Sequence, residues 1–198
     1  MKQTLTLFLS IISLLAISCG GKQDNQSLPQ EKPAVTVHDS LTAADESAII
    51  DFLRQNIDST SICGVSLSYK TTDIKRLFHF RPQTTASTCP RIAFGRFGNK
   101  RLAWGLGLVM DKPFGTMPNA TPRQIILEIS LSDEAAKNNN VTLKHVAEFL
   151  HIQPDTWQQY HDGWIHLSVK SNNIHLILSD TQGDSQQDAE DPNTFDFS

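Results

Sequence analysis

The apolar positions from residue 41 onward follow two rhythms. Ile49, Phe52, Leu53 and Ile57 recur at three- and four-residue spacing and mark one face of a helix. Thr42, with Asp45 three places on, supplies its capping box. A second stripe, Leu143, Val146, Ala147 and Leu150, predicts another helix, capped by Thr142. Pro154-Asp155 then predicts a short third helix running to Tyr160, so that 142–160 forms an αα-corner. Elsewhere the period is two. Val65, Leu67 and Tyr69 alternate, as do Ile125, Leu127, Ile129 and Leu131. Trp164 to Val169 and Ile174 to Leu178 predict two strands joined through Asn172-Asn173. The segment from Ile74 to Phe80 suits either a helical turn or a strand.

One hairpin is specific enough to assign a register. Arg91 to Phe97 and Lys100 to Met110 flank Gly98-Asn99, a pair suited to a two-residue turn. Pairing Phe97 with Lys100 sets Phe94 opposite Ala103, Ile92 opposite Gly105 and Ala93 opposite Trp104. Each large side chain then meets a small one. In this register Arg96 and Arg101 lie opposite each other and repel unless an anion sits between them. Residues 111–123, with three prolines and a glycine, predict a loop. Helices and strands mix without regular alternation, so the expected class is α+β: a mainly antiparallel sheet with about three helices.

The ends of the chain differ from this middle. Leu5 to Ile17 is apolar apart from Thr6, Ser10 and Ser13, and follows Lys2. Thirteen helical residues span about 20 Å, short of a ~30 Å hydrocarbon core. That length and the preceding charge predict a signal peptide over 1–18 rather than a spanning helix. Residues 19–40, rich in Gln, Asn, Ser and Pro, predict a flexible tether. Residues 41–181 are left as a single domain, and 182–198, with five acidic and no basic residues, as an acidic disordered tail.

The signal ends Leu15-Ala16-Ile17-Ser18-Cys19, which resembles the lipobox of bacterial lipoproteins. The resemblance covers residues 1–19 and implies lipidation of Cys19 by palmitate-type chains, each contributing ~0.8 kcal/mol per buried methylene. Gly20 stands where an aspartate marks inner-membrane retention in that family. The implied location is the cell envelope, anchored in the outer membrane. With Cys19 lipidated, Cys63 and Cys89 remain as an even pair. An oxidising compartment then predicts a disulfide between them, closing 26 residues and worth roughly 3 kcal/mol in the chain-entropy picture.

Residues 142–160 resemble the helix-turn-helix of bacterial repressors and, more faintly, the LysM peptidoglycan-binding module. His151 occupies the usual glycine position of the turn, and 155–160 holds no Lys or Arg. Since phosphate attraction dominates DNA affinity, no nucleic-acid role is expected. Five of seven histidines fall at 145, 151, 161, 166 and 175. His145 lies about 120° around the helix from His151, so one helix cannot bring both to a metal. His166 and His175 are expected as neighbours across the last hairpin, on the face opposite Ile165, Leu167 and Leu176, and as solvated groups rather than a metal site.

From Lys70 to Lys112 nine basic residues stand against Asp73 and Asp111, a net of +7 in a chain whose net charge is −4. Arg91, Arg96, Lys100 and Arg101 are the binding candidates in this segment: they either form one face toward a partner protein or an anionic glycan, or alternate around a sheet as solvated charges. Trp157, Tyr160 and Trp164, crowded near one turn, are either the core edge of the short helix or a second candidate set for binding. No Gly-x-Ser-x-Gly, phosphate-binding loop or His-Glu-x-x-His occurs. Cys89 and Arg96 are one residue too far apart for a cysteine-phosphatase loop. No catalytic residue, cofactor or metal is therefore expected. The expectation is an envelope-anchored binding or assembly lipoprotein; the alternatives are an envelope enzyme acting on glycan or peptide, and a periplasmic metal-binding protein.

Overall fold

Six strands form one sheet in the order β1-β2-β3-β6-β5-β4, with every neighbouring pair antiparallel. The computed structural model describes residues 41–78 and 87–183, which lie within one compact unit, His38–Ser198. The signal peptide, Cys19, the tether, Arg81 and the tail from 184 lie outside the described residues. The strands are β1 (Arg91–Phe97), β2 (Leu102–Met110), β3 (Pro122–Ser130), β4 (Trp157–Tyr160), β5 (Gly163–Lys170) and β6 (Asn173–Ser179). The helices are α1 (Ala43–Asn56), α2 (Thr71–Leu77), α3 (Asp133–Lys137) and α4 (Asn139–Leu150). Two three-strand meanders, β1-β2-β3 and β4-β5-β6, are joined through α3 and α4, and they meet where β3 pairs with β6. The class is α+β with an antiparallel sheet. Among the described residues no helix is long and apolar enough to cross a membrane.

The main core lies on one face of the sheet. Leu106, Leu108, Leu127, Leu167 and Leu176 join Ile49 and Leu53 of α1, Ile74 of α2 and Val146 of α4 in a single cluster. Burying each such side chain contributes about 1.5–3 kcal/mol. The α1 stripe and its capping box form as the spacing predicts: Asp45 N–H donates to Thr42 Oγ1 while Thr42 N–H donates to Asp45 Oδ2. Phe52 stacks on Phe97 at 4.6 Å between centroids and seats α1 on the hairpin.

Four local expectations are corrected. The hairpin register is Phe97 to Leu102, Gly95 to Trp104 and Phe94 to Gly105, two places from the expected pairing. Its loop is four residues long, with Gly98, Asn99 and Lys100 all at positive φ. Arg101 is held out of the strand by an ion pair, Nε to Asp45 Oδ1 at 3.0 Å. Large still meets small at Phe94–Gly105, Gly95–Trp104 and Ala93–Leu106, but not at Phe97–Leu102. Trp104 lies over Gly95, where a Cβ would come within 2.8 Å of its indole nitrogen.

Val65 to Tyr69 is a run of turns rather than a strand. Cys63 (φ +51) and Gly64 (φ +74) fold the chain back so that Ile62 bridges Val65. The helix expected from Thr142 starts earlier, at Asn139, and a short helix, α3, precedes it.

The αα-corner does not form either. α4 ends at His151 in the left-handed conformation (φ +57), and Asp155 is left-handed too. The Asp155 N–H donates to Leu167 O, which ties the turn to β5. Residues Trp157–Tyr160 then run as edge strand β4, suited by an aromatic-rich, alternating stretch. Without a second helix, the helix-turn-helix resemblance has no structural counterpart.

Candidate functional site

The second face of the sheet carries the unusual chemistry. Among the described residues no helix packs on it. Its apolar part is a small cluster, Val109, Ile126 and Ile177, against which Cys89 and Trp157 pack. Beside it, register places five residues in one row across five strands: Phe94, Gly105, Glu128, His175 and Ser168. The adjoining row runs Gly107, Ile126, Ile177, His166 and Trp157. Alternation explains the arrangement: Leu127, Leu176 and Leu167 enter the main core, so Glu128, His175 and Ser168 point the other way.

These polar groups are buried. Glu128 is 4%, His166 5% and Ser168 3% exposed. The Asn173 amide donates to Glu128 Oε1, and His175 Nε2 lies 3.9 Å from the same oxygen. Four of their buried polar atoms have no hydrogen-bond partner among the described residues: Glu128 Oε2, His175 Nε2, Ser168 Oγ and His166 Nδ1. Burial pushes the Glu128 carboxyl up to about 7, against the opposing pull of the Arg91 charge and the Asn173 amide. Burial also lowers His175 to about 4, although a hydrogen bond to the Lys170 backbone favours its charged form. His166 is lowered for the same first reason and stacks on Trp157 at 5.0 Å.

The expectation that His166 and His175 are solvated is therefore overturned, while their placement on one face is as alternation implies. His145, His151 and His161 are exposed. Among the described residues no group of three His, Cys, Asp or Glu side chains is arranged to hold a metal ion.

The basic segment does not form one surface. Arg91 and Arg96 belong to the second face, whereas α2, which carries Lys75 and Arg76, packs with the main core through Ile74. Lys75 Nζ sits over the Phe114 ring at 5.4 Å, Arg76 pairs with Asp73, and Arg101 is taken by Asp45. Lys100 and Arg96 remain exposed at the hairpin. Between Arg91 and Arg96 on edge strand β1 stands Phe94, 77% exposed.

The aromatic set divides as well. Trp157 and Trp164 share the second face, while Tyr160 packs with the main core and donates its hydroxyl proton to Asp58 O.

The expected disulfide is absent. Cys63 and Cys89 are not joined: Cys63 packs with the main core and Cys89 with the cluster on the opposite face. Six-stranded sheet separates the two sulfurs, and burial drives the Cys63 thiol up to about 12. Parity of cysteines carries no information about which face each occupies.

The Glu128 row was missed in the sequence because its members lie 23 to 47 residues from Glu128. The available signal was a glutamate interrupting the apolar run Ile125-Ile126-Leu127-Glu128-Ile129. Comparisons with protein-family models, curated proteins and solved structures found no match to this chain.

Proposed function

We propose that this chain is a lipoprotein of the cell envelope, anchored in the outer membrane through Cys19, whose domain has a non-catalytic binding role. The binding surface is the β1 edge, and its partner is an extended, acidic segment of an envelope protein. One observation carries the reading: a 77%-exposed phenylalanine in the middle of an edge strand, with Arg96 exposed two places along on the same face. Edge strands recruit extended peptides through their outward backbone groups, and exposed basic side chains there discourage self-pairing. An acidic peptide meets both conditions. The lipobox resemblance supports the anchor.

Two measurements test the reading. Palmitate labelling and membrane fractionation are expected to show a lipidated, envelope-bound chain that becomes soluble and unlabelled in Cys19→Ala. A photocrosslinker at position 94 is expected to capture one acidic envelope protein, with capture reduced at least tenfold by Arg96→Glu. Labelling equal in Cys19→Ala, or crosslinking indifferent to Arg96→Glu, counts against it.

The enzyme alternative is favoured by one observation: Ser168, His175 and Glu128 stand on neighbouring strands in a single row. That order matches nucleophile, base and orienting acid. Opposing it, Ser168 Oγ makes no hydrogen bond to His175. A fluorophosphonate probe that labels Ser168 in the full chain would decide for the enzyme.

A further inference from the structure

We propose that Glu128 and His175 are buried as an uncharged pair, a protonated carboxyl beside a neutral imidazole, so that folding moves one proton from the histidine to the glutamate. The inference is independent of what the β1 edge binds.

The geometry comes first. Glu128 is buried and His175 partly so, with 6% of the Glu128 side chain and 18% of the His175 side chain exposed. Isolated charges are costly in such surroundings unless closely paired. The carboxyl oxygen and imidazole nitrogen are 3.9 Å apart, too far for the direct hydrogen bond that would stabilise a carboxylate–imidazolium pair. The oxygen nearest the imidazole, Glu128 Oε1, accepts from the Asn173 amide, while Glu128 Oε2 and His175 Nε2 have no hydrogen-bond partner among the described residues. The remaining imidazole nitrogen is satisfied by the Lys170 backbone, which a neutral ring can do with its single N–H.

The charged and titratable groups facing the pair are Arg91 from β1, His166 and Lys170 from β5, and, acting on His166, Asp155 from the turn before β4. Arg91 favours the glutamate charge, whereas Lys170 and His166 oppose the histidine charge. Burial outweighs Arg91, leaving the carboxyl at about 7 and the imidazole at about 4.

The consequence is specific. In the unfolded chain these groups titrate near 4.5 and 6.5, so at pH 5.5 the proton sits on the histidine. In the folded chain at the same pH it sits on the glutamate. The count of bound protons is one in both states. Taken alone, the raised glutamate gives stability that is present below 4.5 and lost as pH rises towards about 7. The depressed histidine gives stability that is present above 6.5 and lost as pH falls towards about 4. Between about 4.5 and 6.5 the two slopes cancel. The pair then acts as an internal proton exchange that leaves the fold insensitive to pH across that window.

The experiment is urea unfolding of the full chain in detergent between pH 4 and 7.5, for the native sequence, His175→Gln and Glu128→Gln. Relative to the native chain, His175→Gln is expected to lose stability as pH rises, by up to tenfold in the unfolding constant per pH unit, a one-proton slope. Glu128→Gln is expected to lose stability as pH falls, by a similar factor. Parallel curves for all three overturn the proposal. If a variant does not fold, carboxyl-carbon and imidazole-nitrogen NMR of the native chain at pH 5.5 reads the protons directly. A neutral imidazole with a protonated carboxyl supports the inference, and an imidazolium with a carboxylate overturns it.

Discussion

Asp45 and Glu128 are two buried carboxyl groups, 3% and 4% exposed, on opposite sides of the same sheet, and their protons behave in opposite ways. Burial alone pushes Asp45 upward, but hydrogen bonds from the Thr42 backbone and hydroxyl and from Arg101 more than offset it, so the group is held below its ordinary value. Glu128 has one amide donor and a more distant arginine charge, and burial wins. Asp45 has more donors and Glu128 the heavier burial penalty, and together these decide which carboxyl keeps its charge. The difference follows from what packs on each face. The helix side brings a helix terminus and a hairpin loop to Asp45. The described residues of the second face bring neighbouring strands alone.

The largest expected effect probes packing on the two faces through adjacent residues of β3. Leu127 points into the helix-covered core and Ile126 into the small second cluster. Leu127→Ala is expected to destabilise by about 2–5 kcal/mol, because helices and strands on all sides hold the cavity open. Ile126→Ala is expected to cost roughly half as much, since a smaller cluster collapses more readily. Chemical denaturation of the two variants checks this. Equal losses would mean that the second face is packed as closely as the first.

The next effect concerns the charged carboxyl. Asp45→Asn removes the charge from the capping box and from the Arg101 pair, with an expected loss of about 1–3 kcal/mol at neutral pH. Because the folded value is depressed, this contribution is present above the ordinary value of 3.8 and disappears as pH falls through the folded value. Stability curves of the native chain and Asp45→Asn should therefore converge in acid. A gap that persists unchanged at low pH would assign the loss to shape rather than charge.

The helix side was the more legible in the sequence. Its signals are local: the Thr42–Asp45 box and the stripe Ile49, Phe52 and Leu53 sit within one element and depend on nothing distant. The strands at 125–131 and 164–178 were legible for the same reason, since alternation is written into each segment. What failed depended on contacts between segments. Trp157–Tyr160 reads equally well as a helical turn until Asp155 is tied to Leu167. The hairpin register turned on Arg101, whose partner lies 56 residues away. The candidate site is harder still. Ser168 and His175 meet across a local hairpin, but Glu128 joins them only because β6 pairs with β3, a strand order that no local pattern encodes.

The smallest expected effect separates a buried polar group that serves the fold from one that does not. The Ser168 hydroxyl is almost fully buried and unpartnered among the described residues, so it lost its water on folding and gained no bond in exchange. Replacing it with a methyl hydrogen, in Ser168→Ala, removes that desolvation cost without leaving a large cavity. The expected change is between zero and about 1 kcal/mol of added stability, measured by urea unfolding at pH 7. On the helix side the comparable change, Thr42→Ala, removes a hydroxyl that accepts from Asp45 N–H and donates to Asp45 Oδ2, and must destabilise. If Ser168→Ala also costs more than about 1 kcal/mol, its hydroxyl has a structural partner on the second face, and the contrast between the faces narrows to their apolar packing.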